Sequence, residues 1–398
     1  MAVRLAGVLG IAALGVAGFA PPALAARDTT GVVAGAPPRH FEYLWVARTA
    51  LLDSARVAAV VRDAREMGVR GLLVQVVGRG DAFYRSDLLP RPEALGTSSF
   101  DALDAIVAGA HAEGLEVHAW MNCMLVWSAP RPPRDPRHVL NAHPEWIARL
   151  EDGRRMTSLG ARERRRLAVE GVYLSPAHPG VRAFLGAVAC EIARRYAVDG
   201  IHLDYIREPG VRIGFDPETR AQFALETGVD PARFSRLPPD ARAAADSAWG
   251  AFQSGRLTAV VREVRDSVAA ARPGLPLSAA VVADTLSAER AHAQAWRSWL
   301  REGLIDRAFV MSYAPEVQTV MNQLVGFAAE FGVEGRVVPG FAAYNTPPAA
   351  VGAKIKGARA LGFAVLALYS YEALMVHPDY WPRLRDDLEA GANPAGDR

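Results

Sequence analysis

His202 and Asp204 stand two residues apart in the segment 199–209, DGIHLDYIREP. Asp199 and Gly200 read as the turn out of a helix, and 201–206 as a buried strand. Side chains alternate faces along a strand. Ile201, Leu203 and Tyr205 therefore share one face, and His202 and Asp204 the other. Unpaired buried carboxylates are costly, so a His/Asp face near the end of an apolar strand points to proton transfer or to ligand binding. In a β/α barrel the active site lies at the C-terminal ends of the strands, where this Asp sits.

Glycosidic hydrolysis uses two carboxyl groups, one as acid and one as base or nucleophile. Asp204 is the first candidate. Asp284, Glu316, Glu372 and Glu208, each near the end of an expected strand, compete for the second place, with Glu372 and Asp284 ranked first. Asp81 lies in a GRGD turn, where Asp commonly bonds backbone. The expected binding surface comes from the same strand ends. His118, Trp120 and Asn122 share one face of a strand; Gln75, Arg79 and Tyr84 lie at or past the end of another; Tyr313, Tyr344 and Tyr371 close three more. Aromatic rings stack on sugar faces, and His, Asn, Gln and Arg hydrogen-bond hydroxyls.

These residues need a scaffold that brings distant segments together. Strand-like runs at 41–48, 71–77, 115–122, 200–206, 276–283, 307–313, 336–343 and 363–369 alternate with helical patterns. The helices are expected at 54–67, 100–113, 179–196, 245–271, 288–302, 317–331 and 347–361. Eight such repeats predict an α/β fold, a (β/α)8 TIM barrel over residues 40–390. Long insertions follow strands three and four, at 123–177 and 207–247, where additions to a barrel wall its substrate groove.

The chain has 398 residues with 45 Lys+Arg against 43 Asp+Glu, so no global field favours nucleic acid or an anionic membrane. The basic run RERRR at 162–166 reads as a solvated turn or helix. Arg4, the apolar run 5–20 and the Ala23-Leu24-Ala25 pattern read as a signal peptide cleaved after Ala25, which implies a periplasmic or secreted protein without a stable membrane span. A flexible lead-in at 26–39 and a disordered tail at 391–398 flank the barrel. The two cysteines, Cys123 and Cys190, fit either a disulfide or two free thiols.

Several strand ends, taken in order, resemble the glycosyl-hydrolase-like family 10 of exported bacterial barrels. YLWVAR (43–48), QVVGRGDAFYRSDLLP (75–90), HAWMN (118–122), HPEWI (143–147), YLSPAHPGVR (173–182), DGIHLDYIREP, MSYA (311–314) and LYSYEAL (368–374) carry the resemblance across roughly residues 40–375. Val77 stands where that family's pattern has Arg, and Glu208 where it usually has Tyr. The resemblance implies a barrel acting on a polysaccharide or oligosaccharide, and some relatives are linked to peptidoglycan glycan strands. It is distinct from the family 18 chitinase pattern DGxDxDxE, whose second Asp and terminal Glu are His202 and Ile206 here.

No cofactor motif and no short-spaced metal-ligand pair stands out, so neither a cofactor nor a metal is expected. Two alternatives stay open. A metal-dependent hydrolase such as a deacetylase would draw on His118, His202, Asp204 and Asp284. A carbohydrate-binding barrel without catalysis would keep the aromatic groove and lack a productive carboxyl pair.

Overall fold

The structure is a computed structural model that describes residues 38–390. The expected signal peptide, the lead-in before residue 38 and the tail from 391 lie outside the described residues. Eight parallel strands close into a barrel: β1 Tyr43–Val46, β2 Gly71–Val77, β3 Glu116–Asn122, β4 Gly200–Asp204, β5 Leu277–Val282, β6 Arg307–Met311, β7 Val337–Ala342 and β8 Ala367–Tyr369. Each strand pairs with its neighbours in sequence, and β1 pairs with β8 to complete the ring. Every expected strand is present. Most are one to several residues shorter than their apolar runs, because the runs continue into buried loops.

The helices form the outer layer. Aspartates start several of them, as their position before an apolar repeat predicts. Asp53 accepts from the Arg56 N–H at 2.8 Å and Asp101 from the Asp104 N–H at 3.0 Å. The helix expected at 288–302 is broken into Thr285–Arg290 and Trp296–Arg301. The buried Gln294 explains the break. Its side chain accepts from the Val282 N–H and donates to the carbonyls of Ile206 and Ala280, tying the chain to the ends of β4 and β5. The helix expected from 245 begins earlier, at Pro239, and runs to Ala271.

Apolar side chains pack on both faces of the sheet. Inside the barrel, Tyr43, Trp45, Leu73, Trp120, Phe309, Val338 and Ala367 fill the lumen. Such large rings need small neighbours. A Cβ on Gly340 of β7 would stand 2.7 Å from the Trp45 ring, and one on Gly200 of β4 would collide with the His118 ring. The bottom of the lumen is closed by a polar cluster. Glu116 accepts from the Tyr43 hydroxyl at 2.8 Å and from Arg70, and Arg307 donates to the same hydroxyl.

The two insertions have different fates. In the first, Leu125–Trp127 pairs antiparallel with Val172–Tyr173 above the barrel. The second packs on the flank. Its Phe215, Phe223 and Phe234 cluster against Trp249 and Phe252 of the long helix. The expectation that both insertions wall the mouth is corrected to this extent: the second contributes Arg207 there and otherwise thickens the side. Its Thr219 meets Ser175 of the first insertion at 2.7 Å, which locks the two together.

Candidate active site

Strand alternation sends Gln75, Trp120, Asn122, His202 and Asp204 to the inner face of the barrel, as their parity predicts. Depth then separates them. Asn122 and Asp204 are the last residues of β3 and β4 and lie side by side in register. Above them opens a cavity of about 770 Å³ at the C-terminal mouth. Asp204, Glu170 and Glu372 line it, with Gln75, Trp120, Asn122, Tyr313, Tyr344 and Tyr369.

The Asp204 carboxyl is held from one side. Its Oδ1 accepts the Tyr205 backbone N–H at 2.6 Å. Tyr205 reaches this position with φ +47°, in the left-handed region that side chains other than glycine's rarely adopt. Such strain costs on the order of 1–3 kcal/mol and clusters at functional sites. Burial pushes the Asp204 carboxyl up to about 6, against the stabilising Tyr205 N–H, Arg207 and Trp120 N–H. It therefore exchanges its proton near neutral pH, as an acid or base catalyst must.

Glu372 lies in the first turn of the short helix Tyr371–Val376 after β8. Its Oε1 accepts the Ala47 N–H at 2.8 Å, and its Oε2 is buried without a partner. Burial raises this carboxyl as well, against the neighbouring backbone N–H groups and the Ser370 hydroxyl. Glu170 differs. Burial would raise it, but Arg207 and Tyr173 outweigh burial and hold it below the usual carboxylate range. Its two oxygens accept from Arg207 and from the Tyr173 hydroxyl, both at 2.7 Å. Glu170 is thus a fixed anion, while Asp204 and Glu372 are the two of the three carboxyls lining the mouth whose environment favours a proton.

A polar shelf and an aromatic wall complete the mouth. Asn122 Oδ1 accepts from the Trp120 indole at 2.9 Å and from Gln75 at 3.2 Å, and Asn122 donates to the Gly78 carbonyl. Gln75 in turn accepts from Arg48. Opposite, the Tyr313 and Tyr369 rings stack with centroids 5.5 Å apart, and Tyr344 stands edge-on to both. Tyr344 is largely exposed.

Other expected site residues lie elsewhere. His202 is fully buried below the mouth. Its Nε2 accepts the Trp45 indole N–H at 3.1 Å, and its Nδ1 meets Ser278 at 2.9 Å. His118 lies deeper, four residues below Asn122, a drop of about 13 Å along a strand, and faces Tyr43 and Glu116. Both histidines have the expected parity but sit too low to meet substrate. Asp284 caps the helix Thr285–Arg290 by accepting from Ser287, and Glu316 precedes Val317–Phe331 as an exposed residue. Neither lines the mouth. Tyr84 is buried against Tyr196, and the Tyr371 hydroxyl donates to Asp63 in the helix layer. Glu208, at the start of the second insertion, meets the long helix Pro239–Ala271, where Gln253 donates to it at 2.6 Å. Arg79 lies in an adjoining groove. The donor set His118, His202, Asp204 and Asp284 therefore does not converge. Among the described residues no group of three or more His, Cys, Asp and Glu is placed to hold a metal ion.

The mouth also contains residues not singled out from sequence. Trp45 and Tyr369 were legible by parity with Tyr43 and Ala367. Tyr205 lies on the opposite parity and reaches the mouth only through its positive φ. Glu170 and Arg207 carry no local signal and arrive by the folding of the insertions.

The model of the glycosyl hydrolase-like 10 family matches residues 43–332. The chain belongs to this family. Among relatives of known name, the glycosyl hydrolase DigH of Escherichia coli strain K12 is 25% identical over 177 residues, 40% of this chain and 36% of that protein. The glycosyl hydrolase YngK of Bacillus subtilis strain 168 is 22% identical over 218 residues, 53% of this chain and again 36% of the relative. Each match thus spans little more than a third of the relative's length. The glycoside hydrolase domain of PgaB (BpsB) from Bordetella bronchiseptica has a similar fold, with a TM-score of 0.66 at 16% identity, covering 88% of this chain and 99% of that one. The barrel of this glycosyl hydrolase-like 10 protein is thus a glycoside hydrolase-type barrel. Among its described residues no helix is long and apolar enough to cross a membrane.

Proposed function

We propose that this protein is an exported glycoside hydrolase that cleaves a polysaccharide chain with Asp204 and Glu372 as its two carboxyl groups. The observation that carries this reading is their placement. Two carboxyls, both pushed up by burial, line one cavity beside a wall of three tyrosines. Asp204 protonates the leaving glycosidic oxygen, and Glu372, once ionised, acts on the opposite side as base or nucleophile. Tyr313, Tyr344 and Tyr369 stack on sugar rings, while Asn122 and Gln75 hydrogen-bond hydroxyls. Glu170 and Arg207 hold Tyr205 and Tyr173 in place beside Asp204. Peptidoglycan glycan strands stripped of their peptides are the leading substrate. The sequence of residues 1–25 supports export to the periplasm or beyond.

The test is incubation of the mature protein with a glycan panel that includes amidase-stripped peptidoglycan, with product mass analysis. Asp204→Asn and Glu372→Gln run in parallel. Release of shorter oligosaccharides by wild type, with each variant slowed at least about a hundredfold, is the expected result. Tight glycan binding without product from any panel member would replace the reading with that of a binding barrel.

A further inference from the structure

The mouth does not end at Asn122. A second groove of about 540 Å³ adjoins it, and Arg48 lines both. Arg79, in this groove, donates to the hydroxyl of Ser128, which lines the mouth, at 2.9 Å. Five arginines line the groove, Arg48, Arg79, Arg91, Arg131 and Arg134, beside Trp127.

Their charges are poorly matched. Arginines elsewhere are routinely paired, Arg70 with Glu116, Arg207 with Glu170 and Arg297 with Glu330. In the groove, Arg48, Arg79 and Arg91 donate only to neutral oxygens, those of Gln75, Ser128 and Phe100. Of the acids lining the groove, Asp81 accepts the Arg79 backbone N–H, Asp135 is paired with Arg137, and the exposed Glu93 forms no ion pair with the groove's arginines. Burial first, and then the neighbouring Arg48 charge, push the Arg79 guanidinium down, against the nearby Asp81 carboxylate. Partly buried guanidinium groups with neutral partners have unused donors in a fork that matches a carboxylate. The half-buried Trp127 beside them offers an aromatic ring for a sugar to rest on.

We propose that this groove is a subsite for a carboxylate-bearing sugar of the glycan whose scissile bond lies at Asp204, with Arg79 and Arg48 as the carboxylate's partners. The proposal rests on the glycosidase reading for the position of the scissile bond. It adds a subsite that recognises the substrate's carboxylate and a direction for the chain from the mouth across Ser128.

The test is calorimetric titration of the Asp204→Asn protein with four oligosaccharide probes. These are amidase-stripped peptidoglycan oligosaccharides bearing lactyl carboxylates, oligouronates, and the carboxyl-reduced form of each. At least one acidic probe is expected to bind about tenfold tighter than its reduced form. The larger preference of the two identifies the carboxylate's source. Added Arg79→Gln is expected to weaken the preferred acidic probe by about tenfold or more and so to remove the preference. The exposed double variant Arg131→Gln with Arg134→Gln, which guards against misfolding of the Arg79 variant, is expected to lower the salt dependence of binding. Equal affinities for acidic and reduced probes, or an Arg79→Gln loss identical for both, overturns the proposal. Wild type that binds with the acidic preference but releases no product from the preferred probe overturns the glycosidase reading and leaves the subsite standing.

Discussion

Trp45 of β1 donates its indole N–H across the lumen to Nε2 of His202 on β4, at 3.1 Å. The bond fixes His202 as the neutral tautomer with its proton on Nδ1, facing Ser278. Trp45 also lines the mouth, so the pair forms the floor on which the candidate site rests.

Removing the ring tests that role. His202→Ala would open a void and strand the Trp45 N–H. We expect a loss of about 3 kcal/mol in urea unfolding at pH 7. Burial holds the imidazole well below its ordinary range. Its stabilising contribution is therefore present above the unfolded value near 6.5 and is lost as pH falls. A variant that unfolds like wild type would show that His202 is not a structural floor.

Asp204 shifts the other way. Its folded value of about 6 exceeds the roughly 3.9 of an unfolded chain. Stability from this group is complete below the unfolded value and is lost as pH rises through 6. Asp204→Asn escapes that loss. Relative to wild type its unfolding free energy should nearly match at pH 4 and be higher at pH 8, by about 3 kcal/mol in denaturant unfolding. A variant less stable than wild type at pH 8 would make Asp204 a structural residue.

The same values shape turnover. If Asp204 is the acid, kcat falls as pH rises through about 6. The rising limb belongs to Glu372, whose raised carboxyl must ionise before it can act as base. Glu372→Gln should abolish the acid limb along with most activity, and a narrow bell is the expected wild-type profile. A kcat that keeps increasing from pH 6 to 8 would reverse the assignment.

The floor of the barrel makes an independent prediction. Burial would raise Glu116, but His118 at 3.6 Å and hydrogen bonds from Arg70 and Tyr43 hold it down at about 2. The stability this carboxylate contributes is present above the unfolded value near 4.3 and lost as pH falls toward 2. Glu116→Gln should cost about 3 kcal/mol at pH 7 and less than about 1 kcal/mol at pH 2.5, measured by denaturant unfolding, with glycan turnover at the far end of the barrel little changed.

The sequence by itself determined the repeating architecture and the inner face. Apolar runs alternating with capped helices leave few arrangements other than eight parallel strands in a ring. The two-residue period placed Gln75, Trp120, Asn122 and Asp204 inside. The same period placed His118 and His202 inside too, and could not separate them from the mouth, because parity assigns a face and carries no depth. Depth comes from how the strands stagger around the ring. Register sets Asn122 beside Asp204 and His118 beside the first residue of β4. Parity also fails where a strand ends. Tyr369 is the last residue of β8, so two residues later Tyr371 is already helical and turns outward. The positive φ of Tyr205, the arrival of Glu170 from a distant insertion and the unpaired arginines beside the mouth were decided by tertiary structure alone. Each depends on which groups from remote segments come within hydrogen-bonding range, and local sequence holds no record of that.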